Sequence, residues 1–127
     1  FRQAIDRSAD AIFVADLATG KFVDFNVACL AQLGYTAEEM LTIGPADVVP
    51  DLGARGGLTA VANAVREAGG IVRPSLHRRK DGEYVPVEVA LSVVDIGPRS
   101  VVLGIARDIS DRLKADADRE ELQQMLN

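Results

Sequence analysis

The chain is short of the residues that most site chemistries need. Its 127 residues include one cysteine and one histidine. A single cysteine, Cys29, cannot close an internal disulfide or build a cysteine-based metal site. A lone histidine, His77, removes the catalytic and haem arrangements that call for two. No run approaches the roughly 20 continuous apolar residues of a membrane span, and nothing resembles a signal peptide. The formal net charge of −5 argues against a nucleic-acid-binding surface. The one basic run, Arg78-Arg79-Lys80, reads as a solvated hairpin tip. The glycines between Gly44 and Gly57 lack a G-K-[ST] triplet and a preceding buried strand, which removes a phosphate-binding loop. No nucleophile–base pair, carboxylate pair with a histidine or metal-ligand cluster is visible, so the domain reads as non-catalytic.

What remains is an ordinary globular balance, 48% apolar and 26% charged, in a length that fits one domain. The cysteine usage fits a reducing cytoplasm, where the chain is expected to work. Both ends fall inside helical patterns, at Phe1-Arg2-Gln3-Ala4-Ile5 and at Gln124-Met125-Leu126-Asn127. The chain therefore reads as a domain excised from a longer one.

The clearest pattern lies between Leu76 and Val94. Val85, Val87, Val89, Leu91 and Val93 fall on alternate positions, the period of a strand with one face on a core. Lys80-Asp81-Gly82 just before them is a hairpin cue, because Gly82 tolerates a left-handed backbone. Two registers are open. A two-residue Asp81-Gly82 turn pairs Lys80 with Glu83 and points Leu76 and Arg78 inward. A three-residue loop pairs Arg79 with Glu83, sets His77 opposite Val85, and points His77, Ser75 and Arg73 inward unless Pro74 breaks the alternation.

In chain order, residues 1–9 read as an amphipathic flanking helix and Ala11 to Ala15 as a first strand. Lys21 to Phe25 reads as a second strand. Asn26 caps a helix expected to set Val27, Leu30, Ala31 and Leu33 on its buried side, with Gly34 ending it. Thr36-Ala37-Glu38-Glu39 is a capping box opening a short helix. Gly44 to Gly57 reads as irregular with a single helical turn. Leu58, Val61, Ala62 and Val65 mark a core-facing helix closed by Gly69-Gly70. Ile71 to Arg79 and Tyr84 to Val94 form the hairpin, Asp95 to Ser100 a turn, and Val101 to Ala106 a last strand. A charged helix runs from there to the end, where Ala115, Leu122 and Met125 are weakly heptad-like and Asp118 interrupts the seam. The order implies an α+β fold, an antiparallel sheet with helices on one face.

Several segments together resemble the PAS sensor-domain family over nearly the whole chain. They are Asp10-Ala11-Ile12-Phe13-Val14-Ala15-Asp16, Phe25-Asn26-Val27-Ala28 and Leu33-Gly34-Tyr35-Thr36-Ala37-Glu38-Glu39-Met40. Arg79-Lys80-Asp81-Gly82, Val85-Pro86-Val87-Glu88-Val89 and Arg107-Asp108-Ile109-Ser110-Asp111-Arg112 complete the set. The resemblance implies a five-stranded antiparallel sheet in the order 2-1-5-4-3, with helices over one face and a cavity between. It implies a sensor core over residues 10–109 and a signalling helix over 110–127. It also implies a place inside a multidomain protein, such as a sensor histidine kinase or a diguanylate cyclase. Asp108, Ile109 and Arg112 fall at the family's exit motif, where an Asp108–Arg112 pair four residues apart is expected to lock the junction. The alternative is that Asp108 or Ser110 simply caps the helix.

The family's usual hairpin resembles the three-residue loop, which aims His77 inward. The pocket wall would then carry His77, Ser75 and Arg73 amid Phe13, Cys29, Leu33 and Val87. Cationic donors in an apolar cavity would suit a small polar or anionic ligand. The competing reading is a filled core, with His77 bonded to a backbone carbonyl and Arg73 at the rim. The resemblance argues against flavin, since Gly44 to Pro50 lacks the photoreceptors' reactive cysteine. Val87 and Ala106 also stand where those proteins place amides. It argues against haem, since Leu58 to Ala68 lacks the ligating histidine. A homodimer is expected through the flanking helices or the outer sheet face, where Ile12, Val14, Ala90 and Val94 lie. A covalently linked output domain is expected beyond the exit helix. The rival to a sensor is a ligand-free dimerisation spacer.

Overall fold

The computed structural model describes residues 9–126, so residues 1–8 of the expected N-terminal helix lie outside them. Strands β1 (Ala11–Asp16) and β2 (Phe22–Phe25) form a first antiparallel pair. Then come helices α1 (Val27–Leu33), α2 (Ala37–Met40) and α3 (Pro45–Val48), a 3-10 turn (Gly53–Arg55), and helix α4 (Gly57–Ala68). Strands β3 (Ile71–Arg78), β4 (Tyr84–Ile96) and β5 (Arg99–Asp108) make a meander, and α5 (Ser110–Leu126) leaves it. The five strands form one sheet in the order β2-β1-β5-β4-β3.

Alternation decides which face is dry. Ala11, Phe13, Ala15, Val85, Val87, Val89 and Ala106 point inward and pack with Cys29, Leu33, Met40 and Val48. A second cluster joins Leu52, Val61 and Val65 to Ile71, Leu91 and Val93. Fully burying one such valine contributes about 1.5–3 kcal/mol, so the inner row of β4 is a principal source of cohesion.

Asn26 does more than cap. Its Oδ1 accepts from Cys29 N at 2.9 Å, the expected cap bond, and also from Ile12 N at 2.9 Å. Its Nδ2 donates to the Asp10 carbonyl at 2.9 Å. One buried amide thus ties the start of β1 to the start of α1, and this sets the rotation of the helix. Cys29 and Leu33, four apart, face the sheet and are buried, while Val27 and Ala31 face solvent. The expectation that Val27 and Ala31 lie on the buried side is therefore corrected.

The β3–β4 loop spans three residues. Arg79 N donates to the Glu83 carbonyl at 2.7 Å, Gly82 takes a left-handed φ of 89°, and His77 pairs with Val85. Pro74 leaves the alternation intact. On this edge strand its position faces away from β4, where no ladder bond is required. Lys80 Nζ reaches Glu39 Oε2 at 2.7 Å and Lys80 N donates to the Leu33 carbonyl at 2.9 Å, which bolts the hairpin tip to α1 and α2. The β4–β5 turn is tighter than expected: Ile96 pairs with Arg99, and only Gly97 and Pro98 lie between.

Candidate functional site

Where helices and sheet meet, two small spaces remain. One of about 40 Å³ is lined by Phe13, Arg73, Ser75 and His77 among apolar side chains that include Leu52, Val61 and Val89. A second of about 20 Å³ shares Phe13 and His77 and touches Phe22, Leu33 and Val48. Together they have room for roughly a few waters. Of the seven expected wall residues, the fold brings Phe13, Leu33, Arg73, Ser75 and His77 to these spaces. Cys29 and Val87 are fully buried but line neither.

His77 is 3% exposed, and its ring meets the Phe13 ring edge-on with centroids 6.2 Å apart. Burial pushes its pKa down to about 4, so at neutral pH the imidazole is uncharged. This corrects the expectation of a cationic His77: it offers one donor and one acceptor instead. Arg73 carries the charge of the wall. Its Nε is buried without a hydrogen-bond partner. Desolvation lowers its pKa, the Arg55 charge adds to that, and Asp51 opposes it. Burial pushes the Cys29 thiol up to about 12, which makes it an unreactive core residue.

Sequence reading missed Asp51 and Arg55, although their spacing of four was a visible cue for a pair. Arg55 Nε, at the end of the 3-10 turn, donates to Asp51 Oδ2 at 2.7 Å.

At the exit, Ile109 is buried and its N–H donates to the Pro86 carbonyl at 3.0 Å. The expected Asp108–Arg112 pair is replaced. Asp108 Oδ1 accepts from both the N–H and the hydroxyl of Ser110, at 2.9 and 2.6 Å, so it caps the helix start. These bonds hold the Asp108 carboxyl below its ordinary pKa. Arg112 reaches across the sheet to Glu88 instead, at 3.9 Å. Two local donors next to Asp108 outcompete a guanidinium four residues away.

Among the described residues no group of side chains is placed to hold a metal ion, and no helix is long and apolar enough to cross a membrane.

A PAS domain family model matches residues 9–111. The chain is 26% identical over 122 residues to a methyl sulfide methyltransferase-associated sensor of Methanosarcina acetivorans, a match over 91% of this chain and 12% of that protein. The chain thus spans about an eighth of that relative's length. Among solved structures it is similar to the PAS domain of a Colwellia psychrerythraea protein, with TM-score 0.75 and 25% identity over 87% of this chain and 94% of that one. It is also similar to a domain of a sensory box sensor histidine kinase/response regulator from Geobacter sulfurreducens, with TM-score 0.66 and 28% identity over 84% and 90% of the two chains.

Proposed function

The chain belongs to the PAS domain family, and from that premise we propose that it is the cytoplasmic, non-catalytic sensory module of a larger signalling protein of histidine kinase or diguanylate cyclase type. A small polar or anionic ligand enters between sheet and helices, and α5 relays its presence to an output domain. Phe13, Leu33, Arg73, Ser75 and His77 meet the ligand, and Asp108, Ile109 and Arg112 form the relay. Two copies pair through their flanking helices or outer sheet faces.

The observation that carries this reading is Arg73 Nε, a buried polar atom without a hydrogen-bond partner, on the wall of a core space that Ser75 and His77 also line. A buried polar group left unsatisfied costs roughly 1–3 kcal/mol, and cores seldom retain one without a use. A ligand acceptor at that atom removes the cost. Ligand occupancy then biases the packing of the sheet against α5, whose foot rests on β4. The relay residues support the same reading, since Ile109 and Arg112 both attach to that strand.

The small volume of the core spaces favours a second reading, in which the domain is a ligand-free dimerisation spacer. A native mass spectrum of the purified chain separates the two. A stoichiometric small-molecule adduct, lost on substituting His77→Leu, supports the sensor; a bare chain from several expression hosts refutes it and leaves the spacer.

A further inference from the structure

The 40 Å³ core space lies deep, and Val89 and His77 on its wall are each 3% exposed. Any small molecule that reaches it has to pass a wall that moves. The sheet side is fixed by the strand ladders of β3, β4 and β5. The helical side is made by α3, α4 and the segment that joins them, through Pro45, Val49, Leu52, Leu58 and Val61. Its attachments to the rest of the fold are uneven.

At α3, Phe22 N donates to the Ile43 carbonyl at 3.0 Å, Gly44 packs on the Gly20 carbonyl, and Arg78 donates to the Asp47 carbonyl at 3.1 Å. At the far end of α4, Arg66 donates to Asp95 and Ser100 at 2.7 and 2.9 Å. Residues 50–57 have no such tie. Among the described residues no hydrogen bond joins them to the sheet: Leu52, Arg55, Gly56 and Gly57 donate to carbonyls between Val49 and Gly53. The half-exposed Asp51–Arg55 pair closes the same turn. Of residues 50–56, Leu52 alone is buried, at 4% exposure, and it lines the core space. Gly56 and Gly57 follow with left-handed φ of 92° and 85°, two consecutive positions at which backbone rotation meets little steric resistance. Pro50, Asp51 and Arg55 line an open groove of about 490 Å³ on the other side, and Ser75 lines both the groove and the core space.

We propose that residues 50–57 are the gate of the core space. Leu52 is the plug, Gly56-Gly57 the hinge, and the Asp51–Arg55 pair the latch that keeps the turn folded. Opening withdraws one buried side chain and leaves the sheet, α3 and the Arg66 tie in place, so it is a local event and far more frequent than unfolding. The purpose of the gate rests on the reading of the core space as a ligand site. The opening itself needs no ligand and is measured without one.

The test is thiol labelling of the chain with iodoacetamide at pH 8, in a Cys29→Ala background. Val89→Cys puts the thiol on the core space, and Val87→Cys puts it at a fully buried position that lines neither core space nor groove. Val89→Cys should be labelled about tenfold or more faster than Val87→Cys, whose rate should match the global unfolding equilibrium measured in urea. Leu52→Ala should raise the Val89→Cys rate by about tenfold or more. It also lowers global stability, so its effect is read as the ratio of the two labelling rates. Asp51→Asn tests the latch without loss of core packing and should raise the ratio about twofold or more. Equal rates at the two positions, or a ratio indifferent to both substitutions, overturn the gate. A ratio that responds only to Arg66→Gln overturns it in favour of movement of α4. A chain that opens as described and carries no adduct in native mass spectra upholds the gate while refuting the ligand reading, so the two fail separately.

Discussion

Phe13 and Gly104 stand opposite each other on β1 and β5, and the Phe13 ring occupies the place a Cβ on Gly104 would fill. That close approach lets a large ring lie flat against the sheet. From there it meets the Phe22 ring edge-on at 5.6 Å on one side and His77 on the other. Phe13 thereby lines both core spaces, and Gly104 is what makes room for it.

Gly104→Ala should therefore be destabilising although alanine suits a strand better. The added methyl meets a ring enclosed by β1, β2 and β3, and overpacking of this kind costs about 1–3 kcal/mol. Chemical denaturation should show the loss as a lower midpoint with an unchanged slope. A second substitution, Phe13→Leu, should restore part of it. A neutral Gly104→Ala would refute the role assigned to this contact.

Asn26→Ala should be among the costlier polar substitutions in the chain. It removes the bonds to Ile12 N, Cys29 N and the Asp10 carbonyl at once. Leaving buried backbone groups unpaired and losing a helix cap amounts to about 3 kcal/mol or more. Asn26→Asp keeps the acceptor and loses the donor, so it should recover part of the stability. Amide exchange at Ile12 and Cys29 should accelerate in both variants, more in the alanine.

Stability should fall as pH drops from 6.5 towards 4 because of His77. Its folded pKa of about 4 lies below the ordinary 6.5. The unfolded chain takes up a proton in that window and the folded chain does not, so the contribution is complete above pH 6.5 and shrinks below it. The integrated loss is about 3 kcal/mol. Glu39 is also lowered, to about 2, by the Lys80 hydrogen bond and then by the Thr36 amide. Its contribution is present above its unfolded value of 4.5 and is lost only below that. Urea unfolding between pH 7.5 and 5 should thus slope in the parent chain and be flat in His77→Leu; equal slopes would contradict the neutral buried imidazole.

Ile109→Ala should loosen α5 without unfolding the sheet. Ile109 is the buried side chain at the foot of the helix, which is otherwise solvent-facing over its described residues. Large-to-small changes at a buried isoleucine cost about 2–5 kcal/mol in full cores, and the low end applies at this edge. Exchange at Leu113, whose N–H donates to the Ile109 carbonyl at 3.0 Å, should rise by about tenfold or more, a factor that corresponds to about 1.4 kcal/mol. The amides of Val85 to Val89 should be little changed.

Much of the fold was legible in the residues because it rests on local rules. The alternation of Val85 to Val93, the capping box at Thr36, the cap at Asn26 and the stop at Gly34 all act over a few residues. The exit helix was legible in outline, whereas its attachment was not. Which partner Arg112 meets depends on Glu88, which lies far away in sequence and close in space only after β4 and β5 have paired. Glycine in the otherwise bulky run Val101 to Ala106 was a cue to a close approach, but nothing local could name Phe13 as the group pressed against it.

By itself, the sequence determined the order of elements, the antiparallel α+β class, the alternating inner face and the scarcity of groups for catalysis or metal binding. Each follows from periodicity, turn chemistry or composition, which act between near neighbours or on the chain as a whole. Only the tertiary structure decided that His77 is buried and neutral, that Val27 faces water, and that Asp51 pairs with Arg55. Burial and the meeting of charges depend on which distant segments pack together. The register at Gly82 lies between the two: the residues allowed two loops, and the bond from Arg79 to Glu83 selects the one that turns His77 into the core.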